Sequence, residues 1–477
     1  MRLMIAGGGG FRVPLVYRAL ISGPYSGLVS ELVLYDVDPG RLAAISAVLK
    51  AMPAAAGRAA PGHAAAVGHL PSVRTTTSLR HALDGADVVF AAVRPGGTAG
   101  RTSDERVAQS LGVLGQETTG AGGISYALRS IPAMLELATE MRHFCPAAWL
   151  INFTNPAGMV TEALVPVLGR KVIGICDSAS GLVYRAARAA GAPLPEGKLD
   201  GVGYYGLNHL GWLYRLESGG RDLLPGLLRD PSALAGFEEG RLFPQALLAG
   251  IGALPNEYLF YYYGQGRAAG AMRSLPQTRG EAIHGQQSEL YPRLATAGEN
   301  AFRLWDDARR SREEGYLAEA RGAGEQRDED DLAGGGYERI ALAVMRALSG
   351  DGDAELILNT VNTVHSAAPG PGAARAAIPG LPEDAVVEVP CSVGPDGAVP
   401  LPQDRPAVQQ LMLMQRVKAV ERLTVSAATY GSRDAALAAF TAHPLIDSAG
   451  VANRLLAGYE AAFPELGKLW RPSADRP

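Results

Sequence analysis

Short apolar runs alternate with helical stretches along the first 176 residues of the chain. The apolar runs cover residues 2–6, 31–36, 73–77, 87–93, 149–153 and 171–176. Between them, apolar positions recur at helical spacing in residues 13–22, 38–51, 124–144 and 157–167. Runs of strand length joined by helices are typical of a parallel sheet with crossover helices. The pattern therefore predicts an α/β fold built on a Rossmann-like, doubly wound parallel sheet.

The pattern changes after about residue 195. Residues 201–217 predict two short strands around a turn, and residues 280–349 are mostly helical, with a charged surface stretch at 306–331. Two more strands are predicted at 354–360 and 384–391, followed by three helices within 405–463. We therefore expect two domains. The first, residues 1–195, is Rossmann-like, and the second, residues 196–477, is a mixed α+β domain for substrate binding and oligomerisation.

Composition narrows the class of protein. The chain has 477 residues, of which 47% are hydrophobic and 19% charged, as in a globular rather than a disordered protein. Its 44 Lys and Arg stand against 48 Asp and Glu, so it lacks the basic surplus of a nucleic-acid binder. No window of 18 apolar residues predicts a membrane span, and the first ten residues do not resemble a signal peptide.

The cysteine count bears on the compartment. Cys145, Cys176 and Cys391 are too few and too widely spaced to form a disulfide framework for a chain of this size. An odd, sparse set of cysteines suits a reducing environment. We therefore expect a cytoplasmic protein with neither a nucleic acid nor a membrane as its partner.

A glycine run follows the first predicted strand and opens the first predicted helix. Glycine lets the backbone turn tightly and approach a pyrophosphate, whose charge then lies at the helix N-terminus. Asp36, at the end of the second run, can accept a hydrogen bond from a ribose hydroxyl, which favours NAD over NADP. The alternative is a structural turn of an α/β fold. The residues predicted to bind NAD are Gly7, Gly8, Gly9, Gly10, Phe11, Arg12 and Asp36.

Three further residues carry candidate chemistry. Cys176 ends the sixth apolar run, where open α/β sheets bind ligands, and His209 lies in the sequence GLNHLGW. A cysteine and a histidine can together hold a divalent metal, although taken singly each is more often structural. Tyr258 opens the run YLFYYY. Aromatic runs are more often core, and a tyrosine acts as a base only where a cation or metal stabilises its phenolate.

Nine motifs occur in order along the chain. They are GGGGFRVP near the start, VRPGGTAGRTSDE (93–105), GQETTGAGGISYALRSIP (115–132), FTNPAG (153–158), GICDS (174–178), YYGLNHLGW (204–212), LPNEYLFYYY (254–263), QTR (277–279) and VEVPCSVGPDG (387–397). Together they resemble the NAD- and manganese-dependent family 4 glycoside hydrolases, which do not use the pair of carboxylates common among glycosidases. The resemblance extends from residue 2 to about residue 465.

The resemblance implies an unusual hydrolysis, on a fold shared with malate and lactate dehydrogenases. In this family NAD takes a hydride from carbon 3 of the sugar, and the ketone so formed acidifies the proton on carbon 2. A tyrosine removes that proton, a divalent metal stabilises the enediolate, and the aglycone leaves from carbon 1 by elimination. Water then adds and the cofactor returns the hydride. We therefore expect NAD and Mn²⁺, or another divalent cation, as cofactors.

The resemblance also implies roles for individual residues. Cys176 and His209 match the metal ligands, and Tyr258 matches the base. Asp177 matches the proton donor to the leaving group in members that cleave α-linked phosphosugars, and Glu117 matches an acid that raises the basicity of the tyrosine. Arginine suits a sugar phosphate because its planar fork binds two oxygens. The residues expected to contact substrate are Arg101, Asn155, Asn208 and Arg279, the last near the phosphate.

Several motifs look most like the 6-phospho-β-glucosidase branch of the family, so we expect a phosphorylated β-glucoside as substrate. Asp177 stands where β-type members often carry Asn, which leaves 6-phospho-α-glucosides open, together with non-phosphorylated α-galactosides and uronides. A 2-hydroxy-acid dehydrogenase using NAD and a non-catalytic NAD sensor are the alternatives from other classes. The resemblance also suggests a homodimer or homotetramer.

Overall fold

A mixed sheet of 13 strands forms the centre of the computed structural model, which describes residues 1–56, 69–315, 336–365 and 374–470. Two further strands, β12 and β13, pair separately. The strands are β1 (Arg2–Ala6), β2 (Glu31–Tyr35), β3 (Ser72–Thr76), β4 (Val88–Ala91), β5 (Trp149–Asn152), β6 (Val172–Gly174), β7 (Val202–Leu207), β8 (Leu210–Ser218), β9 (Arg221–Asp222), β10 (Leu254–Pro255), β11 (Ala354–Val361), β12 (Thr363–His365), β13 (Ala374–Ala376), β14 (Val386–Gly394) and β15 (Gly397–Pro400).

Helices cover both faces of the sheet. Those before residue 195 are α1 (Val13–Ile21), α2 (Pro39–Ala56), α3 (Leu79–Leu83), α4 (Gly97–Ser110), α5 (Ala121–Phe144), α6 (Ala157–Leu168) and α7 (Ser178–Ala189). The later helices are Leu224–Leu227, Pro231–Ala235, Glu238–Leu242, Gln245–Ile251, Phe260–Tyr263, Gln265–Ser274, Arg279–Thr296, Ala301–Glu314, Tyr337–Leu348, Val408–Tyr430, Arg433–Ala442, Ala449–Ala462 and Pro464–Leu469. Short 3-10 turns lie at Gly23–Tyr25, Gly169–Lys171, Glu257–Leu259 and Gly298–Asn300.

The first six strands are parallel and lie in the order β3-β2-β1-β4-β5-β6. This is the doubly wound order of dinucleotide-binding folds, so the predicted Rossmann-like sheet is confirmed. Strands buried on both faces have continuous apolar runs. In β1, Leu3 and Ile5 belong to the core under α1 and α2, while Met4 belongs to the core under α5 and α6. The alternation of side chains along each strand thereby builds two apolar cores, one on each face.

Strands from the second half of the chain continue the same sheet. β11 pairs antiparallel with β6 and with β14, and β7 follows β14. The hairpin of β7 and β8 confirms the two strands predicted in 201–217, and β11 and β14 confirm the two predicted later. The three helices predicted within 405–463 are present as well. The division into domains at residue 195 stays a prediction. It lies between the end of α7 and the start of β7.

The burial of charged residues in two helices was not predicted from the sequence. The stretch 306–331 was expected at the surface, and half of its described residues are exposed. The expectation is wrong for Arg309 and Glu313, which are only 3% and 6% exposed. Residues 316–331 lie outside the described residues. Helix α4 has no apolar periodicity, because it turns Arg101, Asp104 and Glu105 toward the interior. Among the described residues, no helix is long and apolar enough to cross a membrane.

Candidate active site

A cavity of about 1130 Å³ opens at the carboxyl ends of the parallel strands. Successive strands each deliver a side chain or a loop to it: Gly7 after β1, Asp36 after β2, Arg94 after β4, Asn155 after β5 and Cys176 after β6. This edge is where open α/β sheets bind ligands, because the strand order reverses there and leaves a crevice. Most of the residues singled out in the sequence meet in this one cavity.

The glycine loop lies flat on β2. The amides of Gly7 and Gly8 both donate to the carbonyl of Tyr35, at 2.9 and 2.7 Å, and Gly7 has a φ of +85°. A Cβ on Gly8 would lie 2.7 Å from that of Leu34, and one on Gly9 would lie 2.9 Å from Asp36 Oδ2. Gly7 and Gly10 line the cavity, whereas Gly8 and Gly9 do not. Gly8 and Gly9 therefore allow the loop to pack closely on β2.

Asp36 and Phe11 support this loop from two sides. Asp36 lines the cavity, and its Oδ2 accepts a hydrogen bond from the Gly9 amide at 3.0 Å. Its Oδ1 accepts from the amide of Asp38 at 3.1 Å. Phe11 is buried, with its ring 6.0 Å from that of Trp305, whose Nε1 donates to the Phe11 carbonyl at 2.8 Å. The loop is thus fixed in shape by contacts within the protein.

Arg12 connects the glycine loop to the opposite wall of the cavity. Its guanidinium lies 3.9 Å from the carboxylate of Asp177 and 3.3 Å from that of Glu313. The backbone carbonyl of Arg12 accepts a hydrogen bond from the Tyr337 hydroxyl at 2.6 Å. Arg12 therefore contacts the acid predicted to serve the leaving group, a position that its place in a cofactor loop did not indicate.

Cys176 and His209 approach each other in the cavity. The thiol Sγ lies 3.5 Å from His209 Nε2, although the residues are 33 positions apart. His209 occupies the turn between β7 and β8 with a φ of +63°. A residue other than glycine seldom adopts this conformation, and such strain is concentrated at functional sites. Folding thus brings the two predicted metal ligands together.

The donor chemistry of this pair fits a divalent cation. Burial lowers the pKa of His209 to about 3, so the ring is neutral, as a metal ligand must be. Burial, with Glu388 and Asp177 nearby, raises the pKa of the Cys176 thiol, so a metal would have to displace its proton. Among the described residues, no group of three or more His, Cys, Asp and Glu side chains forms a metal site. Two protein donors would leave coordination positions open for substrate and water.

Tyr258 lies directly against the proposed metal ligand. Its ring stacks on that of His209 with centroids 3.7 Å apart and planes inclined by 6°. The 3-10 turn Glu257–Leu259 holds the backbone there, because Asn256 Oδ1 accepts a hydrogen bond from the Tyr258 amide at 3.0 Å. The predicted base therefore lies next to the two predicted ligands, and it lines the same cavity.

Glu117 lies between two arginines. Its carboxylate is 2.7 Å from Arg94 and 2.6 Å from Arg101. Burial by itself would raise the pKa of Glu117. The positive charges of nearby arginines outweigh burial and lower the pKa to about 2; they belong to Arg101, Arg94, Arg312 and Arg279. Glu117 is therefore ionised at neutral pH. Its predicted effect on the basicity of Tyr258 stays a prediction.

Positive charge collects at the end of the cavity near Arg279. Arg279 begins the helix Arg279–Thr296, which Thr278 caps, and its Nη2 donates to the Arg312 carbonyl at 3.3 Å. The pKa of Arg312 falls to about 9, because of burial and because Arg12, Arg279 and Arg101 lie nearby. No ion pair to Arg312 is present within the described part of the chain, and its Nε has no hydrogen-bond partner there. This end of the cavity suits an anion.

The two predicted asparagines have different surroundings. Asn155 lines the cavity, and its buried Oδ1 has no hydrogen-bond partner among the described residues, so it is available to a ligand. Asn208 was expected to contact substrate, but it does not line this cavity. Its Nδ2 donates to Glu388 Oε1 at 3.1 Å instead. Asn208 and His209 are neighbours in a tight turn, which directs their side chains to different sides.

Four residues of the site were not predicted from the sequence. Arg94 follows β4 and could have been found from the rule that strand carboxyl ends bind ligands. Gln116 and Thr118 flank Glu117 in a motif noted for Glu117 alone. Arg312 belongs to the helix interpreted as a charged surface, and nothing in its spacing marks it as facing the cavity.

Comparison with known proteins defines the family. The family 4 glycosyl hydrolase model matches residues 2–191, and the model of the family 4 glycosyl hydrolase C-terminal domain matches residues 204–446. The chain therefore belongs to family 4 of the glycosyl hydrolases, and the predicted resemblance is confirmed. It is accordingly a glycosidase, and the two alternative functions, a 2-hydroxy-acid dehydrogenase and a non-catalytic NAD sensor, are excluded.

Particular relatives match nearly the whole chain. The 6-phospho-β-glucosidase of Escherichia coli is 28% identical over 486 residues, covering 97% of this chain and 96% of the relative. The 6-phospho-α-glucosidase of Leptotrichia buccalis is 29% identical over 472 residues, covering 95% and 96%. The 6-phospho-β-glucosidase of Thermotoga maritima, solved with manganese, NAD⁺ and glucose-6-phosphate, is 26% identical with a TM-score of 0.77, covering 98% of this chain and 99% of that one.

We expect Glu117→Gln to destabilise the fold in a pH-dependent way. A carboxylate whose pKa falls from 4.5 to about 2 contributes about 3 kcal/mol above pH 4.5, and this is lost as the pH falls through 2. Denaturant unfolding at pH 7 should show the full deficit, and at pH 3 less than half of it. The exposed Glu289→Gln is the control and should stay within about 0.5 kcal/mol of the native protein. A deficit that does not change with pH would contradict the assignment of charge to Glu117.

Proposed function

We propose that this chain hydrolyses 6-phosphoglucosides, with the β-linked compounds preferred, using NAD and a divalent cation such as Mn²⁺. The observation that carries the proposal is the meeting of three groups in one cavity. The glycine loop lines the cavity, Cys176 and His209 lie 3.5 Å apart in it, and Tyr258 stacks on His209. An oxidation, a proton removal and an elimination on one sugar ring need these groups within reach of one another.

The relatives support the choice of cofactors. The Thermotoga maritima 6-phospho-β-glucosidase was solved with manganese, NAD⁺ and glucose-6-phosphate, and it shares the fold over almost the whole of both chains. In this chain Gly7, Gly10 and Asp36 would hold NAD, and Cys176 and His209 would hold the metal. When bound, NAD supplies a reversible acceptor for the hydride from carbon 3, and the metal supplies a Lewis acid for the developing enediolate.

The protein's own groups would handle the proton and the leaving group. We assign removal of the proton on carbon 2 to the Tyr258 oxygen, because the Tyr258 ring packs against the imidazole that would hold the metal. A positive charge at that point would stabilise the phenolate. Asp177 faces the same cavity, and for an α-linked substrate it would donate a proton to the leaving-group oxygen on carbon 1.

The cationic end of the cavity supports a phosphorylated substrate. Arg279 and Arg312 lie there together, and the pKa of Arg312 is lowered first by burial and then by repulsion from neighbouring arginines. A phosphate dianion would relieve that repulsion through charge-assisted hydrogen bonds. Asn155 Oδ1 would accept a hydrogen bond from a sugar hydroxyl.

Cleavage of α-linked 6-phosphoglucosides is the second candidate. Asp177 supports it, because the resemblance gives this residue to α-type members as their proton donor. A relative named 6-phospho-α-glucosidase is also as similar in sequence as the β-type ones. The β-linked candidate stays preferred, because several motifs of the chain look most like the 6-phospho-β-glucosidase branch of the family.

We also propose a cytoplasmic location and a homo-oligomeric assembly for the protein. The three cysteines, all free and buried, are compatible with the reducing cytoplasm. The helix Val408–Tyr430 exposes Val408, Met412 and Tyr430 by 72%, 64% and 77%, which supports association into a homodimer or homotetramer.

A panel of four 4-nitrophenyl glucosides tests the proposed function. The α- and β-linked compounds would be assayed with and without the 6-phosphate, with NAD⁺, Mn²⁺ and a thiol reductant present. We expect the 6-phospho-β compound to be cleaved fastest, and chelation to abolish cleavage until Mn²⁺ is restored. The product formed in D₂O should carry deuterium on carbon 2. Full activity in the presence of a chelator, or a product without deuterium, would contradict the mechanism, and steady accumulation of NADH would indicate a dehydrogenase.

Asp177→Asn separates the two anomeric candidates. If Asp177 donates the proton to an α-linked leaving group, the substitution should lower kcat on a 6-phospho-α-glucoside whose leaving group is an alkyl alcohol, which must be protonated, by about 10²–10⁴-fold, the usual contribution of a general acid. If the enzyme is β-type, kcat on the 6-phospho-β compound should change by less than about tenfold. A loss of β-linked activity as large as the loss of α-linked activity would show that Asp177 acts elsewhere in the cycle.

A further inference from the structure

A chain of hydrogen bonds joins the segment after α4 to the ring of His209. Thr118 Oγ1 lies 3.1 Å from His209 Nδ1 and 3.1 Å from Gln116 Oε1. Gln116 is buried, and the same Oε1 accepts hydrogen bonds from the backbone amides of Thr118 and Thr119 at 2.6 and 2.7 Å. Neither Thr118 nor Gln116 has a part in the chemistry described above, so these hydrogen bonds need another explanation.

The direction of each hydrogen bond follows from its donors. Two backbone amides point at the Gln116 side-chain atom, so that atom must be the carbonyl oxygen and not the NH₂ group. A carbonyl oxygen only accepts, so the Thr118 hydroxyl donates its single proton to Gln116. The hydroxyl then has only lone pairs to offer His209, whose Nδ1 must carry the hydrogen. In a neutral imidazole this leaves Nε2 with the free lone pair.

The same contacts fix the orientation of the ring. Stacking on Tyr258, with centroids 3.7 Å apart, sets the plane of the imidazole. A half-turn of the ring about the Cβ–Cγ bond would keep that plane. The bond from Nδ1 to Thr118 removes that freedom, because the turned ring would present a carbon to the hydroxyl. With both contacts in place, Nε2 points toward Cys176 at 3.5 Å.

We propose that Thr118 and Gln116 are positioning residues, which hold His209 as the Nδ1–H tautomer and present the Nε2 lone pair to the cation it shares with Cys176. The inference rests on the metal site of the proposed function. Histidine ligands of metals are commonly fixed through a hydrogen bond from the other ring nitrogen, and loss of that partner weakens metal affinity by about 10–100-fold. Here a hydroxyl, itself oriented by a buried amide, is the partner.

Three variants of the chain test the proposal. Thr118→Val keeps the shape of the side chain but removes the hydroxyl, and Thr118→Ser keeps the hydroxyl. Thr119→Val is the matched control, because only the backbone amide of Thr119 takes part in the hydrogen bonds described. The dissociation constant of Mn²⁺ would be measured in the presence of NAD⁺ from the electron paramagnetic resonance signal of the free ion. This readout does not depend on turnover.

We expect Thr118→Val to weaken Mn²⁺ binding about 10–100-fold, with Thr118→Ser and Thr119→Val within about threefold of the unmodified protein. Equal affinity in Thr118→Val and the unmodified protein would overturn the inference while leaving the proposed function intact. If the unmodified protein binds Mn²⁺ no better than His209→Gln does, the proposed metal site itself fails.

A second measurement needs no Thr118 variant, in case Thr118→Val does not fold. The protein would be labelled with ¹⁵N-histidine, and the His209 signals would be identified by their loss in His209→Gln. Long-range proton–nitrogen spectra without metal should show a protonated Nδ1 and an unprotonated Nε2. The opposite tautomer would overturn the inference.

Discussion

The contact between Cys176 Sγ and His209 Nε2, at 3.5 Å, joins the two halves of the sheet. Cys176 follows β6, the last of the parallel strands, and His209 occupies the turn between the antiparallel β7 and β8. The parallel half ends in a crevice that can accept a dinucleotide, and the antiparallel half brings an imidazole into that crevice. Tyr258 and Thr118 then pack against the imidazole, so the position of His209 determines where the chemistry can occur.

Buried charge is the second constraint on the site. Arg94, Arg101 and Glu117 form one ion-paired group, and Arg12 joins Asp177 and Glu313 in another. Ions buried in this way need close partners, because each loses its hydration on folding. The pairing is incomplete at Arg312, whose pKa falls to about 9. That residual positive charge is the physical basis for expecting a phosphate at this end of the cavity.

Much of the fold could be predicted from the sequence, because buried parallel strands produce continuous apolar runs. The six runs found in the first 176 residues correspond to β1 to β6, and their carboxyl ends delivered Asp36, Asn155 and Cys176 to one cavity. Helix α4 was not predicted, and the helix Ala301–Glu314 was predicted without its buried face, because the inward faces of both carry charged residues that pair only in three dimensions. Apolar periodicity cannot detect such a face.

The details of the site were predictable only in part. The resemblance named Cys176, His209 and Tyr258, and the structure brings them into contact. It also named Asn208, whose amide instead meets Glu388, because neighbouring residues of a tight turn diverge. The hydrogen bond between Thr118 and His209 joins residues 91 positions apart, and no sequence pattern indicates it or the bond from Thr118 to Gln116. They exist only because the fold brings the segment after α4 next to the turn between β7 and β8.

The most direct measurement is a crystal structure of the protein with NAD⁺ and Mn²⁺, with diffraction recorded above and below the manganese absorption edge. A single anomalous peak should lie within bonding distance of both Cys176 Sγ and His209 Nε2, beside a nicotinamide ring and the Tyr258 hydroxyl. A peak bound to other residues, or a nicotinamide on the far side of the cavity from Cys176, would contradict the account.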